Sequence, residues 1–101
     1  MEIILTKNDI FIILKERKES LAQHGVKEIG LFSSYSKDMQ HKGSDIDLLV
    51  DFNKDQETFD NLMSVYDILE DAFRNSKIEV VTKNGLSKHI GSYILKETEY
   101  V

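Results

Sequence analysis

Apolar and polar positions follow two rhythms along this chain, one suited to helices and one to strands. Between Lys7 and His24 the apolar residues Ile10, Ile13, Leu14 and Leu21 share one helical stripe, which predicts a first helix. Thr6 with Asp9 three residues on resembles a capping box, with Asp in place of the usual Glu or Gln. Gly25 stands where a helix C-terminal glycine belongs. The short apolar run Ile29-Gly30-Leu31-Phe32 then predicts a buried strand.

Ser33 to Met39 reads as a polar turn and Gln40 to Ser44 as a loop broken by Gly43. Asp45 to Phe52 predicts a second strand. Period-two alternation sends Ile46, Leu48 and Val50 to one face and Asp45, Asp47, Leu49 and Asp51 to the other. A second long helix is predicted from Thr58 to Asn75, with Phe59, Leu62, Met63, Tyr66, Leu69 and Phe73 as its apolar stripe. The aromatic members Phe59, Tyr66 and Phe73 are read as core. Lys77 to Thr82 predicts a third strand, Asn84-Gly85 a turn, and Ser87 to Glu97 a last helix.

The element order α-β-β-α-β-α predicts an α+β fold: a small mixed sheet of three or more strands with helices packed against it. The short link between the first two strands favours their antiparallel pairing. At 101 residues the chain is read as a single domain, residues 1–101.

Composition narrows the class. Hydrophobic residues at 41% and charged residues at 31% suit a soluble globular protein. There is no membrane-length apolar run, no signal-peptide pattern and no cysteine, so a cytoplasmic protein without disulfides or thiolate metal sites is expected. A net charge of -5 and scattered Lys and Arg argue against direct nucleic-acid binding. A small anionic ligand carried by a metal ion remains compatible.

The most informative stretch is Gly43-Ser44-Asp45-Ile46-Asp47. Two acids at i and i+2 on a strand share one face, about 6.5–7 Å apart at Cα, and suit hard cations. Taken alone the pair also fits the solvated outer face of an edge strand, although apolar Leu49 on the same face argues against plain solvent exposure. Glu79 is a third acid, inside the apolar strand Ile78-Glu79-Val80-Val81. It joins the pair if the third strand lies beside the second; otherwise it is an edge-strand guard charge. The turn Ser33-Ser34-Tyr35-Ser36-Lys37 offers hydroxyls, backbone N–H groups and one cation to phosphates, or serves as an ordinary helix cap. His24, His41 and His89 lack metal-ligand spacing. His24 reads as a helix-end residue and His41 as an exposed loop residue. Asp51 is read as solvated, and Tyr93 and Tyr100 as either packing or partner contacts.

Together these segments resemble the minimal nucleotidyltransferase family, within the DNA polymerase beta-like superfamily. Its hallmark is Gly-Ser, ten residues, then Asp-x-Asp, with a third carboxylate on a later strand. Here Ser33-Ser34 precedes the ten residues Tyr35 to Ser44, then come Asp45-Ile46-Asp47 and, later, Glu79. The resemblance implies that Asp45 and Asp47 ligate two magnesium ions and that Glu79 ligates the catalytic one and prepares the acceptor hydroxyl. Ser33 and Ser34 form the phosphate turn, with Ser34 holding phosphate. Ser44 supports the aspartate turn, and Lys37 meets phosphate charge. It further implies transfer of a nucleoside monophosphate, from ATP above other triphosphates, to a hydroxyl. A tyrosine on a HEPN-type ribonuclease toxin is one such acceptor, with this chain as antitoxin.

Three positions depart from the pattern: Ser33 for the hallmark glycine, Asp38 where a second glycine is common, and Glu79 for the usual Asp. They keep a second expectation open: a weakened or inactive domain that neutralises a partner protein by contact.

Overall fold

The computed structural model describes residues 5–32, 46–74, 76–86 and 94–101. Helix α1 spans Lys7–Gln23. The Thr6 side chain accepts from the Asp9 backbone N–H while the Asp9 carboxylate accepts from Thr6 N–H at 2.9 Å, so the capping box is complete in both directions. The Thr6 backbone N–H first, and the Thr6 hydroxyl after it, hold the Asp9 carboxyl below the usual carboxylate range. The helix ends at His24, and Gly25 follows with φ of +86°. That conformation reverses the chain into strand β1, Val26–Phe32, which starts three residues earlier than its apolar core suggests.

Strand β2 covers Ile46–Phe52 and pairs antiparallel with β1, Phe32 opposite Asp47 and Gly30 opposite Leu49. Helix α2, Phe59–Ala72, begins at Thr58, whose hydroxyl accepts from Asn61 N–H. Strand β3, Ile78–Thr82, pairs parallel with β2 and runs into a short 3-10 turn over Lys83–Gly85. Residues 94–97 are helical, and strand β4, Glu99–Tyr100, pairs antiparallel with β1. The sheet order is β3-β2-β1-β4. The α+β reading with a mixed sheet holds, and β4 is a strand the sequence pattern did not reveal.

Both helices lie on one face of the sheet. Ile10, Leu14 and Leu21 of α1 and Val65, Leu69 and Phe73 pack onto Ile29, Leu31, Ile46, Leu48 and Val50. The buried face of α2 is centred on Val65 and Leu69, about a quarter turn from the expected stripe. Phe59 therefore falls on the flank of the helix, at 75% exposure, and is not core; Met63 is exposed too. Tyr66 sits half-buried, and Phe73 is buried as expected. Among the described residues no helix is long and apolar enough to cross a membrane.

Candidate functional site

The sheet face turned away from the helices carries the acids. Register sets their positions. Phe32 on β1, Asp47 on β2 and Glu79 on β3 form one row, and Gly30, Leu49 and Val81 form the next. Glu28 and Asp51 make the row beyond. Paired residues on neighbouring strands project to the same face, with backbones about 4.8 Å apart. Asp47 and Glu79 thus stand side by side, although 32 positions separate them in the chain.

Local sequence explains why β2 presents its acids here. The alternate residues Ile46, Leu48 and Val50 are all fully buried against the helices, which leaves Asp47, Leu49 and Asp51 for the opposite side. The first ladder bond of the parallel pair, from Ile46 N–H to Lys77 O at 2.8 Å, fixes the register that sets Glu79 against Asp47. Leu49 is also completely buried, and Phe32 nearly so, yet neither belongs to the helix-side core. The carboxylate face is therefore not plain solvent, as apolar Leu49 suggested.

Asp47 is half-buried, whereas Glu79 is exposed on an edge strand. Asp51 is not the solvated acid expected. Its side chain is only 13% exposed, and Lys83 Nζ approaches it at 3.9 Å. Lys83 follows β3 directly, so the parallel pairing that aligns Glu79 also delivers this cation to Asp51. Tyr100 lies on β4 opposite Gly30, on the same face. Burial raises its phenol above the ordinary tyrosine value, and the negative charges of Glu28 and Asp51 add to the rise. Among the described residues this face carries Glu28, Asp47, Asp51 and Glu79, carboxylates of the kind that attract a divalent cation.

Of the residues singled out from sequence, the structure brings Asp47 and Glu79 together. Ser33, Ser34, Lys37, Asp38, Ser44 and Asp45 lie outside the described residues. So do His41, His89 and Tyr93, while His24 caps α1. Among the described residues no three His, Cys, Asp or Glu side chains cluster to hold a metal. The described donors are all carboxylate oxygen, the chemistry that hard divalent ions prefer. Sequence reasoning missed the Asp51–Lys83 pair and the contact of β4 with Gly30. A glycine inside an apolar strand was the available signal for the second, since it marks close backbone approach.

Several known proteins resemble this chain in sequence and fold. The model of the family described as Nucleotidyltransferase domain matches residues 10–101. The protein adenylyltransferase MntA of Thermococcus cleftensis is 34% identical over 101 residues, covering 97% of this chain and 98% of that protein. Among solved structures, a minimal nucleotidyltransferase superposes with a TM-score of 0.81 at 21% identity, covering 94% of this chain and 95% of the other. A toxin–antitoxin crystal structure with AMP-PNP superposes with a TM-score of 0.62 at 25% identity, covering 95% of this chain and 72% of the other.

Proposed function

The chain belongs to the nucleotidyltransferase domain family, and we propose that it moves AMP from ATP to a tyrosine hydroxyl of a partner protein, a HEPN-type ribonuclease toxin that it restrains as antitoxin. The observation that carries the reading is the register that sets Glu79 beside Asp47 on adjoining parallel strands. The name of the Thermococcus relative supports protein as acceptor and adenylyl as the group moved. The toxin–antitoxin structure with AMP-PNP supports an adenine nucleotide and a toxin partner.

In this reading Asp45, Asp47 and Glu79 hold two magnesium ions, whose chemistry when bound is to neutralise phosphate charge and activate the attacking oxygen. The residues of the chain do the rest. Ser33 and Ser34 follow β1 directly and donate hydrogen bonds to the phosphates, and Lys37 offsets their charge. Ser44 steadies the turn into Asp45. Glu79, exposed at the sheet edge, accepts from the incoming phenol and orients it. The phenol gives its proton to the Glu79 carboxylate as its oxygen bonds to the α-phosphorus, the bond from that phosphorus to the bridging oxygen breaks, and pyrophosphate leaves with the electron pair. Positioning and charge neutralisation supply most of the rate in such transfers.

The test is label transfer from α-labelled ATP to the purified HEPN partner in magnesium. Transfer that disappears in Asp47→Asn supports the reading. Absence of ATP binding at millimolar nucleotide and magnesium, with the partner still neutralised, replaces it with the contact-only antitoxin that Ser33, Asp38 and Glu79 favour.

A further inference from the structure

Strand β3 is five residues long and, among the described residues, forms one edge of the sheet. Its hold on β2 decides whether Glu79 stands beside Asp47. Apolar burial settles only part of that register. Ile78 and Val80 turn half-buried side chains toward the helices, on the face where Ile46, Leu48 and Val50 of β2 are buried. A slip of one residue would exchange the two faces and is excluded by burial. A slip of two returns every residue to its own face. It would bring Lys77 or Val81 to Asp47 in place of Glu79.

The far end of the ladder tells these registers apart. Asp51 lies four residues beyond Asp47 on β2, and Lys83 four beyond Glu79. Lys83 Nζ is 3.9 Å from the Asp51 carboxylate, whose side chain is nearly buried. The backbone that bears Lys83 is itself held. The Thr82 hydroxyl accepts from Gly85 N–H at 3.2 Å, and Leu86 N–H donates to Lys83 O at 3.3 Å. After a two-residue slip Lys83 would stand about 6.5–7 Å farther along β2, away from Asp51. A nearly buried carboxylate that loses its cation strongly disfavours the state that strands it.

We propose that Asp51 and Lys83 are positioning residues: their ion pair pins β3 in the register that sets Glu79 beside Asp47. The functional weight of this pin rests on the reading above that the two carboxylates work together. The pin itself is a property of the strands and is testable apart from that reading.

The experiment compares wild type with Lys83→Met, Lys83→Arg and Asp51→Asn, all as full chains. Amide exchange by NMR follows Ile46 N–H, which donates to Lys77 O at the opposite end of the β2–β3 ladder. Binding of manganese, a paramagnetic stand-in for magnesium, is followed by electron paramagnetic resonance. Lys83→Met is expected to speed exchange at Ile46 while the buried α1 residues Leu14 and Leu21 keep their rates. It is also expected to weaken manganese binding about 10- to 100-fold, the usual cost of loosening a group that orients a metal ligand. The sign is diagnostic, because by charge alone the loss of a cation would tighten manganese binding. Lys83→Arg keeps the pair and should stay near wild type, and Asp51→Asn should match Lys83→Met at Ile46. Manganese binding that is unchanged or tighter in Lys83→Met overturns the positioning role. Exchange unchanged at Ile46, or quickened equally in α1, overturns the pin. If Asp51→Asn does not fold, Lys83→Met decides alone, since its side chain is 43% exposed. Wild-type protein that binds no manganese overturns the reading of Asp47 and Glu79, and exchange at Ile46 then judges the pin by itself.

Discussion

Replacing Glu79 with Gln keeps the length of the side chain and removes its charge. The structure makes the two readings of this residue diverge sharply. Glu79 sits exposed on β3, which among the described residues is an edge strand, so neutralising it shifts stability by no more than about 0.5 kcal/mol. For a chain of this size that is about 2–4 °C in the unfolding midpoint. As a working carboxylate in register with Asp47, Glu79 has a different weight. Removing one preorganised group that stabilises transition-state charge costs about 100- to 1,000-fold in rate, or about 2.7–4 kcal/mol. The assay is single-turnover transfer of label to the partner, run beside thermal unfolding and light scattering. The expected result is a rate lowered by about two to three orders of magnitude with the midpoint shifted by no more than about 2–4 °C. A rate within about threefold of wild type, with increased scattering, refutes the reasoning and makes Glu79 a guard against edge-to-edge pairing.

Other consequences can be measured in the same preparation. Leu69→Ala empties a fully buried position between α2 and the sheet, and is expected to cost about 2–5 kcal/mol by denaturant unfolding. Gly25→Ala meets both a φ of +86° and the Gln56 Cβ at 2.5 Å, so a loss above about 1 kcal/mol is expected. The Tyr100 phenol is raised in the folded state, so its share of stability is present below the ordinary tyrosine range and is lost as pH rises through the raised value. Phenolate absorbance should show a late-titrating component that Tyr100→Phe removes, together with that part of the alkaline loss.

Much of the fold was legible because each long element carries its own signal. Thr6 and Asp9 announced the start of α1, Gly25 its end, and the alternation of β2 showed which residues turn from the core. The face of α2 was harder. Its apolar residues cover more than one stripe, and only packing against the sheet selects Val65 and Leu69 over Phe59 and Met63. β4 has two residues, too few for any period, and its pairing depends on a glycine far away in sequence. Asp51 reads as solvated until the parallel register brings Lys83 to it. At the site, the chemistry of Asp47 and Glu79 was readable as residue types, but their adjacency is a property of strand order. Nothing local to either segment encodes it.

That adjacency has a bearing on how the protein comes into being. The β1–β2 pairing joins neighbouring stretches of chain and needs little loop closure, whereas β3 reaches β2 only after α2 has crossed the sheet. Asp47 can be in place on an early hairpin while Glu79 is still unattached. The proposed pair is completed only when β3 docks beside β2, so on that reading a chain caught before this step carries half a site. If the pair works as proposed, a newly made molecule becomes able to modify anything only once β3 has docked, a step that follows the crossing of α2.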